Sequence, residues 1–327
     1  MLRTMTGALC AVTLLLTNAA RAEDYPAGNV TTLVALAAGG SMDIITRLYG
    51  QKLSEKFGKA FIVENRGAAA GNIAAEAVAH AKPDGRTLLV ASSGVFSING
   101  TYFKTLPYDP AKDLEPIALY VKVPFILVTA SDSPIHSIDD LVTAAKKDPG
   151  KITFASTGIG LAPHLAGELL KMKLDIDLTH VPYRGSMGQA LADVMARHVD
   201  LVFADPSLGI PLIKQGKLRA FGASSATRLP QMPDLPTIGE VIKAPDFEAV
   251  SWHVIAAPAR TPKDVVNKLS GALDEALRDS TVTQKIETMG LTPVTPPLKP
   301  EATKAYIAAE TAKWGALLKR LNLVHVE

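Results

Sequence analysis

The chain has 327 residues, of which 47% are hydrophobic and 20% are charged, and it carries 34 basic and 32 acidic residues. A chain of this length and apolar content can build a large core, and it is near the size at which one core splits into two. The near-balance of charge gives no reason to expect binding to nucleic acid or to an anionic membrane surface.

The first 22 residues read as a cleaved secretory signal. They contain a basic start at Arg3, an apolar run over 8–16, and the ending Ala20-Arg21-Ala22. A membrane anchor is the alternative, but the run is shorter than the roughly 20 residues that span a bilayer. We expect cleavage after about Ala22, which removes two arginines and leaves 32 residues of each sign. The only cysteine, Cys10, would leave with the signal, so the mature chain has neither a disulfide nor a thiol site.

Short apolar strands then alternate with helical patterns, which is typical of α/β architecture with mostly parallel sheets. In the first half the pattern predicts strands at 31–36, 61–63 and 88–90, with helices over 42–57 and 72–81. The pattern restarts with strands at 126–128, 152–155, 180–181, 201–203 and 219–223, and with helices over 138–147, 162–172, 187–197 and one ending near 215. A proline-rich segment after 226 leads to a strand at 250–257 and to helices over 262–278, 282–289 and 300–321.

We expect the chain to form two lobes and to pass from one lobe to the other twice. We expect lobe 1 to contain residues 23–124 and 227–327, with a final helix that can pack across both lobes. Lobe 2 is expected to contain residues 125–226. The thin connections near Pro124 and Ala226 would act as a hinge.

A small-residue turn follows the first predicted strand, in residues 37–43. Ala38, Gly39 and Gly40 let the main chain approach a ligand closely, and the helix that opens at Ser41 leaves unpaired N–H groups beside its positive dipole end. Such a turn suits an anion. The alternative is a plain tight connection in which Ser41 is the N-cap and Asp43 complements the dipole.

A second turn of this kind occurs in the other half. Ser156, Thr157 and Gly158 offer hydroxyl and backbone donors to a carboxylate, or they serve only as a helix cap. His164, one turn into the following helix, could donate to an anion, although a lone histidine is more often structural. Tyr183 combines a flat apolar face with a hydroxyl and could cover a small organic acid or pack in the core.

Further candidates follow other strands. Asp205 could accept hydrogen bonds from a ligand or cap the helix that Pro206 opens. Ser93 and Phe96 could complete the wall of the first lobe. The roles of Trp252 and His253 stay open, with a structural role favoured for the histidine.

Enzyme motifs are missing where they would be needed. The sequence has no G-x-S-x-G elbow, P-loop, G-x-G-x-x-G fingerprint or H-E-x-x-H, and its seven histidines are scattered. A hydrolase that uses Ser156 and His164 stays conceivable, but no third residue can be named to orient the histidine. We expect no metal, no cofactor and no catalysis.

Several runs together resemble the Bug family, the periplasmic solute receptors of tripartite tricarboxylate transporters. They are the 33–43 segment LVALAAGGSMD, Val63-Glu64-Asn65-Arg66, Ala70-Gly71-Asn72-Ile73, the 83–89 segment PDGRTLL, the 164–169 segment HLAGEL and the 181–186 segment VPYRGS. The resemblance covers essentially the whole mature chain, from Tyr25 to the last helix. Departures include Ala35 and Leu36 where V-P-F-A-A-G-G is usual, the run from Asn65 to Asn72 where N-R-P-G-A-G-G-N is usual, and residues 96–100, FSING, where relatives often carry histidine and Asn-Pro.

The resemblance implies a two-lobed periplasmic binding protein fold of the second type, with a carboxylate held between the lobes. The ligand would be a di- or tricarboxylate, an aromatic acid or an acidic amino acid, and the partners would be the membrane subunits of the transporter. A sensor that feeds a two-component kinase is the alternative binding function, and a periplasmic hydrolase or isomerase is a further one. We expect a monomer.

Overall fold

Two β-sheets with helices on both faces account for the described residues, 25–183 and 186–326, of the computed structural model. The predicted signal and residues 184 and 185 lie outside these ranges. The two-lobed α/β architecture is confirmed. Within the same ranges, no helix combines the length and the apolar character needed to cross a membrane.

The strands and helices alternate along most of the chain. In order they are β1 (Val30–Val34), α1 (Ser41–Phe57), β2 (Phe61–Asn65), α2 (Asn72–Ala79), β3 (Thr87–Ser92), α3 (Asn99–Tyr102), β4 (Leu114–Val123), β5 (Ile126–Ala130), α4 (Ile138–Lys147), β6 (Thr153–Ser156), α5 (Ala162–Leu174), β7 (Thr179–Pro182), α6 (Met187–Met195), β8 (Leu201–Ala204), α7 (Pro206–Lys214), β9 (Leu218–Ala223), α8 (Ile238–Val241), β10 (Ser251–Pro258), α9 (Lys263–Arg278), α10 (Ser280–Thr288), β11 (Thr292–Leu298) and α11 (Pro300–Arg320). A 3₁₀ turn at Ala69–Gly71 precedes α2, and a π-helical turn at Gly94–Ile98 precedes α3.

The first sheet has the order β11-β4-β10-β3-β1-β2. Strand β1 lies between β2 and β3 and runs parallel to both. Strand β10, which returns from the other half of the chain, lies antiparallel between β3 and β4, and β11 forms an antiparallel edge on β4. The carboxyl ends of β1 and β3 therefore meet at one edge of this sheet.

The second sheet has the order β7-β6-β8-β5-β9. Strand β6 is parallel to β7 and β8, whereas β5 is antiparallel to β8 and β9. Alternate strand residues fill two apolar layers: Leu127 and Phe203 face α4 and α5, and Val128 and Val202 face α6. Because both faces are buried, these strands are apolar at nearly every position.

Both sheets are mixed, so the expectation of mostly parallel sheets was wrong in detail. The strands that enter each sheet at the crossings, β5 and β10, run against their neighbours. Strands β4 and β11 were also missed. Strand β11 contains three prolines, which donate no ladder hydrogen bond and are tolerated because it lies at an edge.

The lobes are joined where two chain crossings run side by side. Phe125 N donates to Ser224 Oγ at 2.8 Å, and this hydroxyl donates to Ala249 O at 2.7 Å. The backbone of Ser224 also bonds both partners, since its N donates to Phe125 O and its O accepts from Ala249 N. Nearby, Lys122 pairs with Glu248 at 3.2 Å. One buried serine thus ties together the segments that connect the lobes.

Close packing of α5 on β6 depends on a glycine. A Cβ built at Gly167 would lie 2.2 Å from Cε2 of the buried Phe154 ring. We predict that Gly167→Ala lowers the free energy of unfolding by about 1–3 kcal/mol, because the ring must move. Denaturant unfolding measures the change. Gly271→Ala on the exposed side of α9 is the matched control, since nothing lies within 4 Å of its added Cβ and alanine favours a helix by up to about 1 kcal/mol. Equal losses in both variants would contradict the packing role.

Candidate functional site

The turn after β1, residues 35–40, is open to solvent; we call it the first-lobe turn. Ala38, Gly39 and Gly40 are exposed and Ser41 is half-buried. Gly39 has φ +83°, a left-handed conformation that favours glycine. Gly40 is the N-cap of α1 and no side chain caps the helix, so the alternative interpretation, in which Ser41 is the N-cap, is wrong. The first N–H groups of α1 have no acceptor within the helix and can bind an anion.

Side chains brace both ends of the first-lobe turn. Asp43 Oδ2 accepts from Gly39 N at 2.9 Å, and Asp43 Oδ1 lies 3.0 Å from Arg47 Nη2. The same guanidinium nitrogen donates to Asn65 Oδ1 at 3.1 Å, and Asn65 Nδ2 donates to Leu36 O at 3.2 Å. We call these five residues the bracing network. It joins the end of β1 to the start of α1 through a side chain of β2.

Charge within the bracing network is balanced. Burial alone would raise the pKa of Asp43, but the Gly39 N–H bond and the Arg47 guanidinium hold it below its usual value. The carboxylate therefore stays ionised beside a cation. Its charge is neutralised locally, which limits repulsion of an anion at the neighbouring N–H groups.

The loop after β2 packs directly on the first-lobe turn. A Cβ at Gly67 would lie 2.5 Å from Ala37 N, and one at Gly71 would lie 3.0 Å from the Ala35 Cβ. Only glycine permits this approach. Behind the loop, Asn99 Nδ2 donates to Ala70 O at 3.2 Å. The sequence showed that residues 65–72 differ from the pattern usual in the Bug family, but it did not indicate that this loop contacts the first-lobe turn.

Ser93 and Phe96 lie in the interior of the first lobe. Ser93 Oγ is 3.0 Å from Ser251 Oγ, and Phe96 stacks on Trp252 with ring centroids 6.2 Å apart. Trp252 Nε1 donates to the buried Glu310 at 3.2 Å. The structure therefore does not bring these two candidates to the exposed surface of the first-lobe turn.

The turn after β6, residues 157–161, begins at a buried hydroxyl; we call it the second-lobe turn. Ser156 Oγ accepts from Gly158 N at 3.1 Å and lies 2.6 Å from His180 Nε2. Ser156 has no exposed surface, whereas Thr157 and Gly158 are half-buried. The histidine that contacts Ser156 is thus His180, which sequence reasoning missed because it lies 24 residues away on β7.

A stack of histidines supports the second-lobe turn from below. His164 Nδ1 accepts from Gly160 N at 3.1 Å, and the His164 and His180 ring centroids are 4.0 Å apart. Burial, then the neighbouring His180, lowers the pKa of His164 to about 3, and burial lowers that of His180 to about 4. Both rings are neutral near pH 7, so His164 holds the turn without adding positive charge.

Tyr183 and Asp205 are engaged by their own lobe. Tyr183 Oη donates to Asp193 Oδ2 at 2.6 Å, and burial together with that carboxylate raises the pKa of Tyr183 to about 12. Asp205 is the N-cap of α7: its Oδ1 accepts from Ser207 N at 2.9 Å. Burial raises the pKa of the Asp205 carboxyl. Asp205 was interpreted either as a ligand contact or as a helix cap, and the structure shows it as a helix cap.

The two turns belong to edges that face each other. A Cβ at Gly94, just beyond β3, would lie 4.0 Å from Leu161 Cδ2, and one at Gly160 would lie 3.0 Å from the Tyr102 ring. The segments that follow β3 and β6 therefore approach each other across the lobes. Because ligands bind outside the carboxyl ends of strands in open α/β sheets, the cleft at this edge is the candidate site.

Cavities are also present away from this edge. One of about 720 Å³ lies between α11 and the start of β4, lined in part by Lys304, Ile307 and Thr311. Lys304 is already paired with Glu115 at 2.8 Å. Among the residues that the structure describes, no three His, Cys, Asp or Glu side chains are placed to hold a metal ion.

Acid should weaken the second lobe through its histidine stack. Between about pH 6.5 and 4, His164 and His180 bind protons in the unfolded chain but stay neutral in the folded protein, where they are buried. The free energy of unfolding therefore falls as the pH falls. Each histidine contributes up to about 1.4 kcal/mol per pH unit. We predict that His164→Gln flattens this slope in denaturant titrations at several pH values. An unaltered slope in His164→Gln would contradict the neutral stack.

A family model described as the tripartite tricarboxylate transporter family receptor, TctC, matches residues 45–323. Among solved structures, Rpa4515 of R. palustris with adipate is 31% identical with a TM-score of 0.81, and the alignment covers 90% of this chain and 98% of that one. The periplasmic binding protein BugD is 34% identical with a TM-score of 0.79, covering 92% and 99%. MatC from Rhodopseudomonas palustris with bound malate is 29% identical with a TM-score of 0.78, covering 90% and 100%.

These similarities extend over almost the whole chain and concern binding proteins rather than enzymes. The resemblance to the Bug family that the sequence motifs indicated is therefore confirmed. This chain belongs to the receptor family of tripartite tricarboxylate transporters, the family of BugD, and it is a solute-binding protein.

Proposed function

We propose that the protein captures a small carboxylate between its lobes in the periplasm and delivers it to the membrane subunits of a tripartite tricarboxylate transporter. The observation that carries this proposal is the first-lobe turn: exposed small residues, a helix start without a side-chain cap, and a bracing network that leaves the N–H groups of α1 open. The predicted signal at 1–22 supports export to the periplasm.

Two similar structures support a carboxylate as the ligand. One contains adipate and another malate, and both share the fold of this chain. Adipate and malate are dicarboxylates, and an oxygen of a carboxylate accepts the kind of hydrogen bond that the N–H groups after Gly40 can donate. Donors on the facing second-lobe turn, such as Thr157, would complete the contact when the lobes close.

The energetics suit capture and release. Hydrogen bonds to a charged group contribute roughly 1.5–3 kcal/mol each. A few of them, with some burial of the ligand, reach the approximately −8 kcal/mol of micromolar binding after ordering costs. A receptor needs binding of this order, since it must also give the ligand up.

A thermal-shift screen of mono-, di- and tricarboxylates, aromatic acids and acidic amino acids tests the proposal, followed by calorimetry of the hits. A ligand that binds only the folded protein raises its apparent stability. Loss of uptake of the same acid after deletion of the receptor would test delivery. A protein that binds none of these acids in calorimetry is not a carboxylate receptor.

Adding a side chain at the first-lobe turn should block the ligand. A Cβ at Gly40 meets only Ala37 O, at 3.7 Å, and the residue has φ −77°, so the fold accepts valine there. We predict that Gly40→Val weakens binding of the cognate acid at least tenfold in calorimetry. Ser137→Val, at the N-cap of α4, is the matched control because it also changes a helix cap but lies in lobe 2, on a helix that follows β5. Unchanged affinity in folded Gly40→Val would place the carboxylate elsewhere.

Ligand that touches both turns should close the lobes about the Ser224 junction. A ligand shifts a conformational equilibrium only by its differential affinity for the two states. We predict a smaller radius of gyration in small-angle scattering when the cognate acid is saturating. The same radius with and without ligand, in a sample shown to bind, would indicate a preformed cleft.

A further inference from the structure

Large apolar side chains are exposed at the carboxyl edges of both sheets. Leu36 and Ile73 belong to lobe 1 and are 44% and 48% exposed; Ile159 and Leu208 belong to lobe 2 and are 42% and 45% exposed. We call these four residues the apolar rim. The other large apolar residues exposed to this degree, among those that the structure describes, are Ile62, Val241 and Val326, which do not follow a strand end at the cleft.

The topology brings the members of the rim together. Leu36 lies two residues beyond β1, and Ile73 is the second residue of α2, whose preceding Gly71 packs on Ala35. Ile159 lies just beyond β6 and Leu208 near the start of α7, just beyond β8, and β6 and β8 are adjacent parallel strands. Each lobe therefore presents an apolar pair beside its turn.

Polar side chains of the cleft are largely bonded to one another. Ser156 contacts His180 at 2.6 Å, and Tyr183 donates to Asp193 at 2.6 Å. In the same way the Arg47 guanidinium binds Asp43 and Asn65 in the bracing network. A second polar end of a ligand would compete with these bonds, and at Ser156 it would leave a buried hydroxyl without its partner.

We propose, on the basis of the carboxylate-receptor function above, that the cognate acid carries a hydrocarbon body beside its carboxylate and that the apolar rim encloses this body when the lobes close. The open N–H groups of the first-lobe turn take the carboxylate. Leu36 and Ile159, next to the two turns, make the first contacts with the methylene groups. The physical driving force beyond the carboxylate is removal of apolar surface from water.

Matched ligand series test the proposal directly. In calorimetry, each methylene added from acetate to hexanoate should tighten binding about fourfold until the rim is filled. Adipate should bind more tightly than succinate for the same reason. Malate should bind more weakly than succinate, because its hydroxyl would face an apolar wall. A flat monocarboxylate series, or malate and citrate binding more tightly than hexanoate and adipate, would overturn the inference.

Variants locate the effect in the rim. Ile159→Ser and Leu208→Ser should each weaken hexanoate at least fivefold and change acetate less than twofold, since acetate has no body to enclose. Val241→Ser is the matched control because Val241 is 38% exposed but lies on α8. Equal losses for hexanoate and acetate, or an effect of Val241→Ser as large as that of Ile159→Ser, would contradict the rim.

The two proposals fail in different ways. If no carboxylate binds, the receptor function itself is wrong. If carboxylates bind and Gly40→Val abolishes their binding, but affinity is independent of the hydrocarbon length, only the apolar rim is wrong.

Discussion

The candidate site depends on the first-lobe turn, whose conformation is held by side chains from α1 and β2. A helix start that is capped by its own side chain uses up the N–H groups that an anion would need. Here the N-cap residue, Gly40, has no side chain that could bond these groups, and Asp43 binds the N–H of Gly39, two residues before the helix. Asn65, which accepts a hydrogen bond from Arg47, donates to the carbonyl of Leu36, so side chains hold the turn while the helix N-terminus stays open. Preorganisation of this kind lowers the ordering cost of binding.

In the proposed site, anion recognition would rely on backbone dipoles more than on net charge. The Asp43 carboxylate is paired with a guanidinium, and the two stacked histidines of lobe 2 are neutral near pH 7. A carboxylate held by N–H groups is bound through short-range bonds that open as soon as the lobes separate. In the proposed function, binding would depend on closure, and closure on the junction at Ser224, where one hydroxyl bonds both connecting segments.

The sequence was sufficient for the architecture and for both turns, because apolar periodicity and small residues at strand ends are local signals. It was insufficient wherever a long-range partner decides the role. Phe96 follows β3, which suggested a place in the wall of the site. In the structure it is buried and stacks on Trp252, 156 positions later in the chain. The partner of Ser156 is His180 rather than the nearer His164 because β6 and β7 are neighbours in the sheet. Strand β11 was hidden by prolines that only an edge can accept.

Exposed apolar residues call for a physical reason when they cluster at one edge of a proposed site. In an open receptor the rim would be wet, and closure would bury it whether or not a ligand were present. Without a ligand, closure would leave a cavity between the rim side chains, which disfavours the closed state. A hydrocarbon body enclosed by the apolar rim would stabilise the closed state, since it fills the space that the side chains would otherwise leave as a cavity. The apolar rim would thus make the closed state complete only when the right acid is inside.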